Sequence, residues 1–346
     1  MLRKPYPDGG GSMKINHLKR REFITLLGGA AAGWPVAARA EQPERMRRIG
    51  MLLGTVETDP ESQARIVAFK QGLQALGWTD GRNVHIDYRF GSADLDLTRK
   101  YAAELVGLAP DVILANSPLV LRALREQTST IPIVFALVVD PVGEGFIKSL
   151  AQPGGNITGF TSLEYPLSGK WLEVLKEIAS NVRRVGAINQ AENVTGAGYL
   201  RALESAAQTI GVQLIAAHVR DAAEIEQAIA AMASQSNGGL IILPSPLALV
   251  NREMIVKLTA QHRLPAIYPF RYFVASGGLM SYGVDTVEVF RQSALYIDRI
   301  LKGEKPAALP VQQPTKFELV VNLKAAKAIG LDVPWFLQQR ADEVIE

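Results

Sequence analysis

The stretch Val-Ile-Leu-Ala-Asn-Ser-Pro at residues 112–118 returns in altered form at residues 240–246 as Leu-Ile-Ile-Leu-Pro-Ser-Pro. In each copy four apolar residues, typical of a buried strand, precede a serine–proline pair that can open a helix. Two further pairs repeat in the same order, Leu76-Gly77 with Ile210-Gly211 and Ile131-Pro132 with Leu264-Pro265. The spacings of the three pairs are 128, 134 and 133 residues. The chain is therefore predicted to contain two similar lobes.

Short apolar runs alternate with segments of helical period around these stretches. Val84, Ile86, Tyr88 and Phe90 alternate with polar residues, as in a strand, whereas other apolar residues recur at helical spacing. Such alternation predicts an α/β protein with two Rossmann-like lobes, each a doubly wound parallel sheet, joined by a hinge. We expect lobe I to comprise residues 47–163 with 277–304, and lobe II residues 164–276 with 305–346. The chain would cross between the lobes near residues 163, 276 and 305.

Residues 1–40 read as an export signal. Arg20 and Arg21 precede a short apolar run, and the segment closes on Ala38-Arg39-Ala40, the small-x-small pattern of a cleavage site. The run is shorter than the roughly 20 residues that span a bilayer. The arginine pair matches the twin-arginine variant, so we expect a periplasmic protein cleaved after Ala40. Translation could start at Met1 or at Met13.

Charge, cysteine content and hydropathy argue against several classes of protein. The 306 residues after Ala40 carry 30 Lys and Arg against 32 Asp and Glu, so the net charge gives no indication of nucleic-acid binding, which would need a clustered basic face. The chain has no cysteine, hence no disulfide framework and no thiolate nucleophile. No later apolar run reaches membrane length, so we expect no membrane insertion once the signal is removed.

Motifs of catalysis and of metal binding are missing from the sequence. The histidines His85, His218 and His262 have no partner at metal-ligand spacing, and no serine lies in a Gly-x-Ser-x-Gly turn. Gly143-Glu144-Gly145 lacks the third glycine of a dinucleotide fingerprint. We therefore predict a protein that is not an enzyme and that uses no cofactor or metal.

Loops after the predicted strands are the expected ligand contacts, because ligands of doubly wound sheets bind at the carboxyl ends of the strands. These loops supply Thr55, Asn116, Ser117, Asp140, Asn189, Ser245 and Asp285, and the aromatic cluster at residues 268–273 adds Arg271. For Asp140 a turn, for Asp285 a helix cap and for Arg271 a solvated position remain open alternatives. Ser117 and Ser245 should face each other across the site, with Ser117 and nearby amides binding a carboxylate.

Three blocks of sequence resemble a known family. They are Pro-Ile-Val-Phe at 132–135, Asp-Pro-Val-Gly at 140–143 and Pro-Gly-Gly-Asn-Ile-Thr-Gly at 153–159. The blocks are similar to the substrate-binding proteins of ABC importers that take up tryptophan and other aromatic amino acids, and the resemblance spans residues 48–334. It implies a type I periplasmic binding protein, a small-molecule ligand and an ABC permease in the inner membrane. We expect a monomer.

The resemblance also bears on ligand choice. Ser162 and Glu164 lie shortly after the Gly-Asn-Ile-Thr-Gly block, where members of the family often have an acidic residue, and Pro244-Ser245-Pro246 replaces their Thr-Asp-Asn type of segment. For an amino acid, Glu164 or Asp285 could bind the ammonium group, and Ser117, Thr55 or Arg271 the carboxylate. An aromatic amino acid and a related carboxylate thus both remain open. The alternative function is that of an exported ligand sensor that signals to a membrane receptor.

Overall fold

The computed structural model describes residues 45–191, 193 and 195–346. The predicted export signal lies outside these residues. The strands are β1 (Arg47–Leu53), β2 (Val84–Phe90), β3 (Val112–Asn116), β4 (Ile133–Val138), β5 (Ile157–Thr161), β6 (Arg184–Gln190), β7 (Gln213–Val219), β8 (Gly238–Ile242), β9 (Ala266–Tyr268), β10 (Met280–Gly283), β11 (Glu318–Asn322) and β12 (Glu343–Ile345). The helices are α1 (Pro60–Ala75), α2 (Leu95–Gly107), α3 (Ser117–Gln127), α4 (Leu167–Ile178), α5 (Gly196–Ile210), α6 (Ala222–Ala233), α7 (Pro246–Val250), α8 (Arg252–Gln261), α9 (Arg271–Ala275), α10 (Thr286–Leu301), α11 (Leu323–Ala328) and α12 (Trp335–Arg340).

A five-stranded parallel sheet has the strand order β2-β1-β3-β4-β5. Its register places Ile49 of β1 beside Ile86 of β2 and Val112 of β3. These three residues are at most 5 % exposed, because helices cover both faces of such a sheet. We call this sheet and the helices that pack on it, α1, α2, α3 and α10, the first layer.

A seven-stranded sheet has the order β12-β11-β10-β9-β8-β6-β7. Its strands β6 to β10 are parallel and repeat the 2-1-3-4-5 order of the first sheet, while β11 runs antiparallel to β10 and pairs with β12 at the edge. This sheet and helices α4 to α9 form the second layer. The predicted fold class, two doubly wound and mostly parallel α/β sheets, is confirmed.

Three segments connect the layers. Residues 162–166 lead from β5 to α4, Val284 and Asp285 lead from β10 to α10, and residues 302–317 lead from α10 to β11. The expected crossing near residue 276 precedes β10. Because β10 pairs with β9 and β11, the chain leaves the second layer only at Val284.

The glycine-rich block at residues 153–159 has a structural explanation. Asn156 donates from Nδ2 to the carbonyl of Ile131 at 2.7 Å, and its own carbonyl accepts from Ile133 N at 2.8 Å. Gly159 has φ +153°, and a β-carbon there would lie 2.1 Å from the carbonyl oxygen of Phe135. A larger residue would therefore push β5 away from β4.

Among the described residues, no helix combines the length and the apolar character that a bilayer span requires.

Candidate functional site

The strand order of each sheet defines where a ligand can bind. The strands are all parallel here, but the order in which they are added reverses between β1 and β3 in the first sheet and between β6 and β8 in the second. Ligands of such sheets bind outside the carboxyl ends of the strands at these switch points. A pocket lies between the layers at this place. From the first layer and the segment after β5 it is lined by Thr55, Arg65, Asn116, Ser117, Leu137 and Ser162. From the second layer it is lined by Gln190, Asn193, Thr195, Ser245, Phe270 and Tyr272.

Ser117 begins α3 at the pocket. Its side chain is buried, the residue being 9 % exposed, and Oγ has no hydrogen-bond partner in the described part of the chain. Asn116, at the N-cap position, makes no side-chain hydrogen bond to the free N–H groups of α3. The 11-residue helix therefore presents unpaired N–H groups and a partial positive charge beside a free hydroxyl. This arrangement suits a carboxylate or another anionic acceptor.

Asn116 and Thr55 shape the same wall but already have partners. Asn116 Oδ1 accepts from Gly54 N at 2.9 Å, and Thr55 Oγ1 lies 2.6 Å from Ser62 Oγ. Asn116 thus fixes the loop after β1, since its amide oxygen binds that loop's backbone. A β-carbon on Gly54 would lie 3.1 Å from Cγ of Pro246, so the two layers touch here.

Polar side chains of the second layer form an ordered wall. Ser245 Oγ accepts from Ala248 N at 3.0 Å and so caps α7. Asn193 donates to the carbonyl of Pro244 at 2.9 Å, and Thr195 donates to Asn193 Oδ1 at 2.9 Å. Gln190 Oε1 accepts from Leu247 N at 3.3 Å. These bonds fix the orientation of the wall before any ligand arrives.

Aromatic rings and a buried cation complete the pocket. Phe270 and Tyr272 stack with ring centres 5.4 Å apart. Arg65 on α1 is 2 % exposed, and its guanidinium carbon lies 5.6 Å from the ring centre of Tyr272 and 5.7 Å from that of Phe290. Glu61, one turn earlier, pairs with Arg65 Nε at 3.3 Å. Burial raises the pKa of Tyr272, so this phenol stays neutral.

Sequence reasoning missed Arg65, and it placed rings of the aromatic cluster at residues 268–273 near the ligand without singling out Tyr272. Tyr272 directly follows Arg271, the predicted contact, but Arg271 lies at the surface, half exposed and paired with Glu343. Consecutive helix residues differ by about 100° in direction, so only one of the two can face the pocket. Arg65 carries no sequence signal beyond a charge among the apolar positions of α1.

Asp140 and Glu164 lie together at a second cavity, near the segment between β5 and α4. Asp140 Oδ1 accepts from Gly143 N at 2.8 Å, as the turn alternative describes, and Glu164 accepts from Gln313 Nε2. Tyr165 lies beside them, and burial with the nearby Asp140 carboxylate raises its pKa to about 12.

Asn189 and Asp285 are placed by contacts within the protein. Asn189 is 3 % exposed, and its Nδ2 lies 3.3 Å from Nδ1 of His218. Asp285 caps α10, accepting from Val287 N at 2.9 Å and Glu288 N at 3.1 Å. Of the ten sequence candidates, the structure brings five together at the pocket between the layers: Thr55, Asn116, Ser117, Ser162 and Ser245.

Within the described part of the chain, no group of three His, Cys, Asp or Glu side chains is placed to bind a metal ion.

A family model and a curated protein both match most of this chain. The family model described as "ABC transporter substrate binding protein" matches residues 54–345. A tyrosine-binding protein of Clostridioides difficile strain R20291 is 26 % identical over 264 residues, which cover 76 % of this chain and 75 % of that protein.

Solved structures show the same fold. A conserved domain protein from Vibrio cholerae O1 biovar El Tor is 28 % identical, with a TM-score of 0.81, covering 87 % of this chain and all of that one. An ABC domain from Streptococcus pneumoniae, in complex with L-Trp, has a TM-score of 0.80 at 23 % identity, covering 86 % of this chain and 99 % of its own.

Proposed function

The chain belongs to the family of ABC transporter substrate binding proteins, and we propose that it captures a small aromatic carboxylate outside the cytoplasm and delivers it to an ABC permease. The family is one of solute-binding proteins rather than enzymes. An aromatic amino acid or a related aromatic acid would fit the proposed ligand class.

One observation supports a carboxylate group on the proposed ligand. Ser117 lines the pocket between the two layers at the uncapped start of α3, and its buried Oγ has no partner among residues 45–191, 193 and 195–346. A buried hydroxyl without a hydrogen bond is unfavourable, and it becomes favourable when a ligand supplies the acceptor. A carboxylate would bond to Ser117 and to the free N–H groups of α3 at once.

The stacked rings of Phe270 and Tyr272 support an aromatic body for the ligand. Both rings line the pocket and belong to the second layer, opposite Ser117. Aromatic pairs add about 0.5–1.5 kcal/mol beyond the area that they bury. The relatives agree, since one is named a tyrosine-binding protein and another structure contains L-Trp.

Capture would occur by hinge closure of two lobes. We propose residues 46–161 with 286–312 as the first lobe and 167–283 with 317–346 as the second, because these ranges follow the sheet pairing and the packing of α10. The segments between them would act as hinges. We further propose a monomer, exported to the periplasm by the twin-arginine signal at residues 1–40 and cleaved there.

Calorimetric titration of the purified protein tests the ligand class. L-tyrosine and L-tryptophan would be compared with the amino alcohols tyrosinol and tryptophanol. Their deaminated acids, 3-(4-hydroxyphenyl)propanoate and indole-3-propanoate, would be compared with the corresponding propanols. We expect at least one carboxylate to bind and its alcohol to bind at least tenfold more weakly, because a hydrogen bond to a charged group is worth about 1.5–3 kcal/mol. Equal affinity for acid and alcohol would refute the carboxylate site.

A further inference from the structure

A buried ion pair joins the two layers beside the pocket. Arg252, the first residue of α8 in the second layer, donates from Nη1 to the carboxylate of Asp59, which caps α1 in the first layer. The two residues are 193 positions apart in sequence, and they are 7 % and 4 % exposed. Because each belongs to a different layer, the bond can exist only while the layers are together.

Each partner is also held by its own layer. Asp59 Oδ1 accepts from Ser62 N at 2.8 Å, which fixes the carboxylate at the start of α1. Arg252 Nη1 donates to the carbonyl of Leu249 at 3.1 Å, within the second layer. Neither charge therefore has to be ordered when the pair forms, which lowers the entropic cost of the contact.

A second contact between the layers lies on the same helix. Arg65 lies on α1, six residues after the cap Asp59, and its guanidinium carbon is 5.6 Å from the ring centre of Tyr272 on α9. Cation–π contacts of this kind gain strength when both groups are shielded from water, and both residues here are less than 9 % exposed. Asp59 and Arg65 thus bring the N-terminal part of α1 into contact with the second layer at the edge of the pocket.

Because the ion pair is buried, its energy differs between a closed form, in which the layers are together, and an open form, in which they are apart. Two charges removed from water are stable only together, and removal of one partner leaves the other buried and uncompensated. If the layers separate, water solvates both charges and the loss of one partner matters little. We infer that Asp59 and Arg252 are positioning residues for ligand capture, forming a latch that holds the two layers closed over the pocket. This inference rests on the hinge closure that we propose above.

The test uses the ligand-free protein. The chain has no cysteine, so nitroxide labels can be attached at Lys100→Cys on α2 and Glu204→Cys on α5, two exposed positions in different layers. Double electron–electron resonance, a pulsed electron paramagnetic resonance experiment, then gives the closed and open populations from the distribution of distances between the labels. Asp59→Asn removes the charge while keeping a helix-capping side chain, and Arg252→Gln removes the other charge.

We expect either variant to lower the ratio of closed to open protein at least about tenfold, and the double variant to lower it no further. Arg252→Lys, which keeps the charge, should restore most of the closed population. Arg340→Gln is the matched control, because it breaks an ion pair with Glu177, 2.9 Å long, at the surface of the second layer. Its closed population should equal that of the wild type.

The melting temperature of the ligand-free protein separates a latch from a purely structural role. A latch stabilises only the closed form, so Asp59→Asn should lower the melting temperature by no more than its loss of closed population accounts for, whereas a role within one layer would lower the melting temperature without changing the distance between the labels. A wild-type protein without a closed population, or a closed fraction unchanged in both single variants, would overturn the latch. Because no ligand is used, a failure to find a bound aromatic carboxylate would count against the proposed function and not against this result.

Discussion

Replacement of Ser117 by alanine tests the proposed carboxylate site most directly. The hydroxyl is buried and has no hydrogen-bond partner among the residues that the structure describes, so its removal breaks no hydrogen bond seen there. We therefore expect the free energy of unfolding without ligand to stay unchanged or to rise slightly, since an unpaired buried hydroxyl is itself unfavourable. The effect should appear in binding alone.

The expected loss follows from the chemistry of one bond. A hydrogen bond to a charged acceptor contributes about 1.5–3 kcal/mol, which corresponds to roughly a ten- to hundredfold increase in the dissociation constant. The backbone does not obscure this figure, because Ser117 has φ +68° and alanine experiences the same left-handed strain as serine. Ser117→Gly also removes the hydroxyl but relieves about 1–2 kcal/mol of that strain. The Ser117→Gly variant should bind the ligand as weakly as the alanine variant. Its free energy of unfolding should be at least that of the wild type.

Calorimetry of the three proteins with a bound aromatic carboxylate measures the loss, and urea unfolding without ligand measures stability. Ser293→Ala serves as the control, since Ser293 is also buried but donates to the Val289 carbonyl within α10. Full affinity in Ser117→Ala would refute the reasoning, and so would an equal loss in the control variant.

Three further predictions concern the neighbouring loops and the N-terminus. Gly54→Val should weaken ligand binding at least about tenfold in calorimetry with little change in ligand-free stability, because its side chain would meet Pro246, 3.1 Å from the β-carbon position, and hold the layers apart. Normal affinity in that variant would show that the contact can relax. Asp285→Ala should lower the free energy of unfolding by about 1 kcal/mol, since two N–H groups of α10 lose their cap, while Asp285→Asn should retain both cap and affinity; an affinity loss in the asparagine variant would instead indicate a ligand contact. Lysine at both Arg20 and Arg21 should abolish delivery to the periplasm in fractionated cells, and unchanged delivery would exclude the twin-arginine route.

The fold could be predicted from the sequence because the patterns of strands and helices depend on residues that are close together in the chain. A strand buried on both faces must be a short apolar run, and a helix packed on a sheet must show one apolar face, so the alternation in the chain specified two α/β layers. The same periodicity placed Ser117 and Ser245 after equivalent strands of the two repeats. Both residues line the pocket, since loops at the carboxyl ends of parallel strands meet at one edge.

Tertiary structure alone decided which charged and aromatic side chains surround that pocket. Arg65 lies within a helix, and Asp59 and Arg252 are 193 residues apart, so no spacing in the sequence relates them. The direction of a side chain at a helix start depends on where the backbone turns, and this selects Tyr272 for the pocket and leaves Arg271 at the surface. The sequence by itself determined the two α/β layers and the edge of each sheet at which a ligand would bind, because strands and helices are encoded by neighbouring residues. The closing contacts between the layers depend on how two separately folded surfaces meet, and only the assembled structure contains that information.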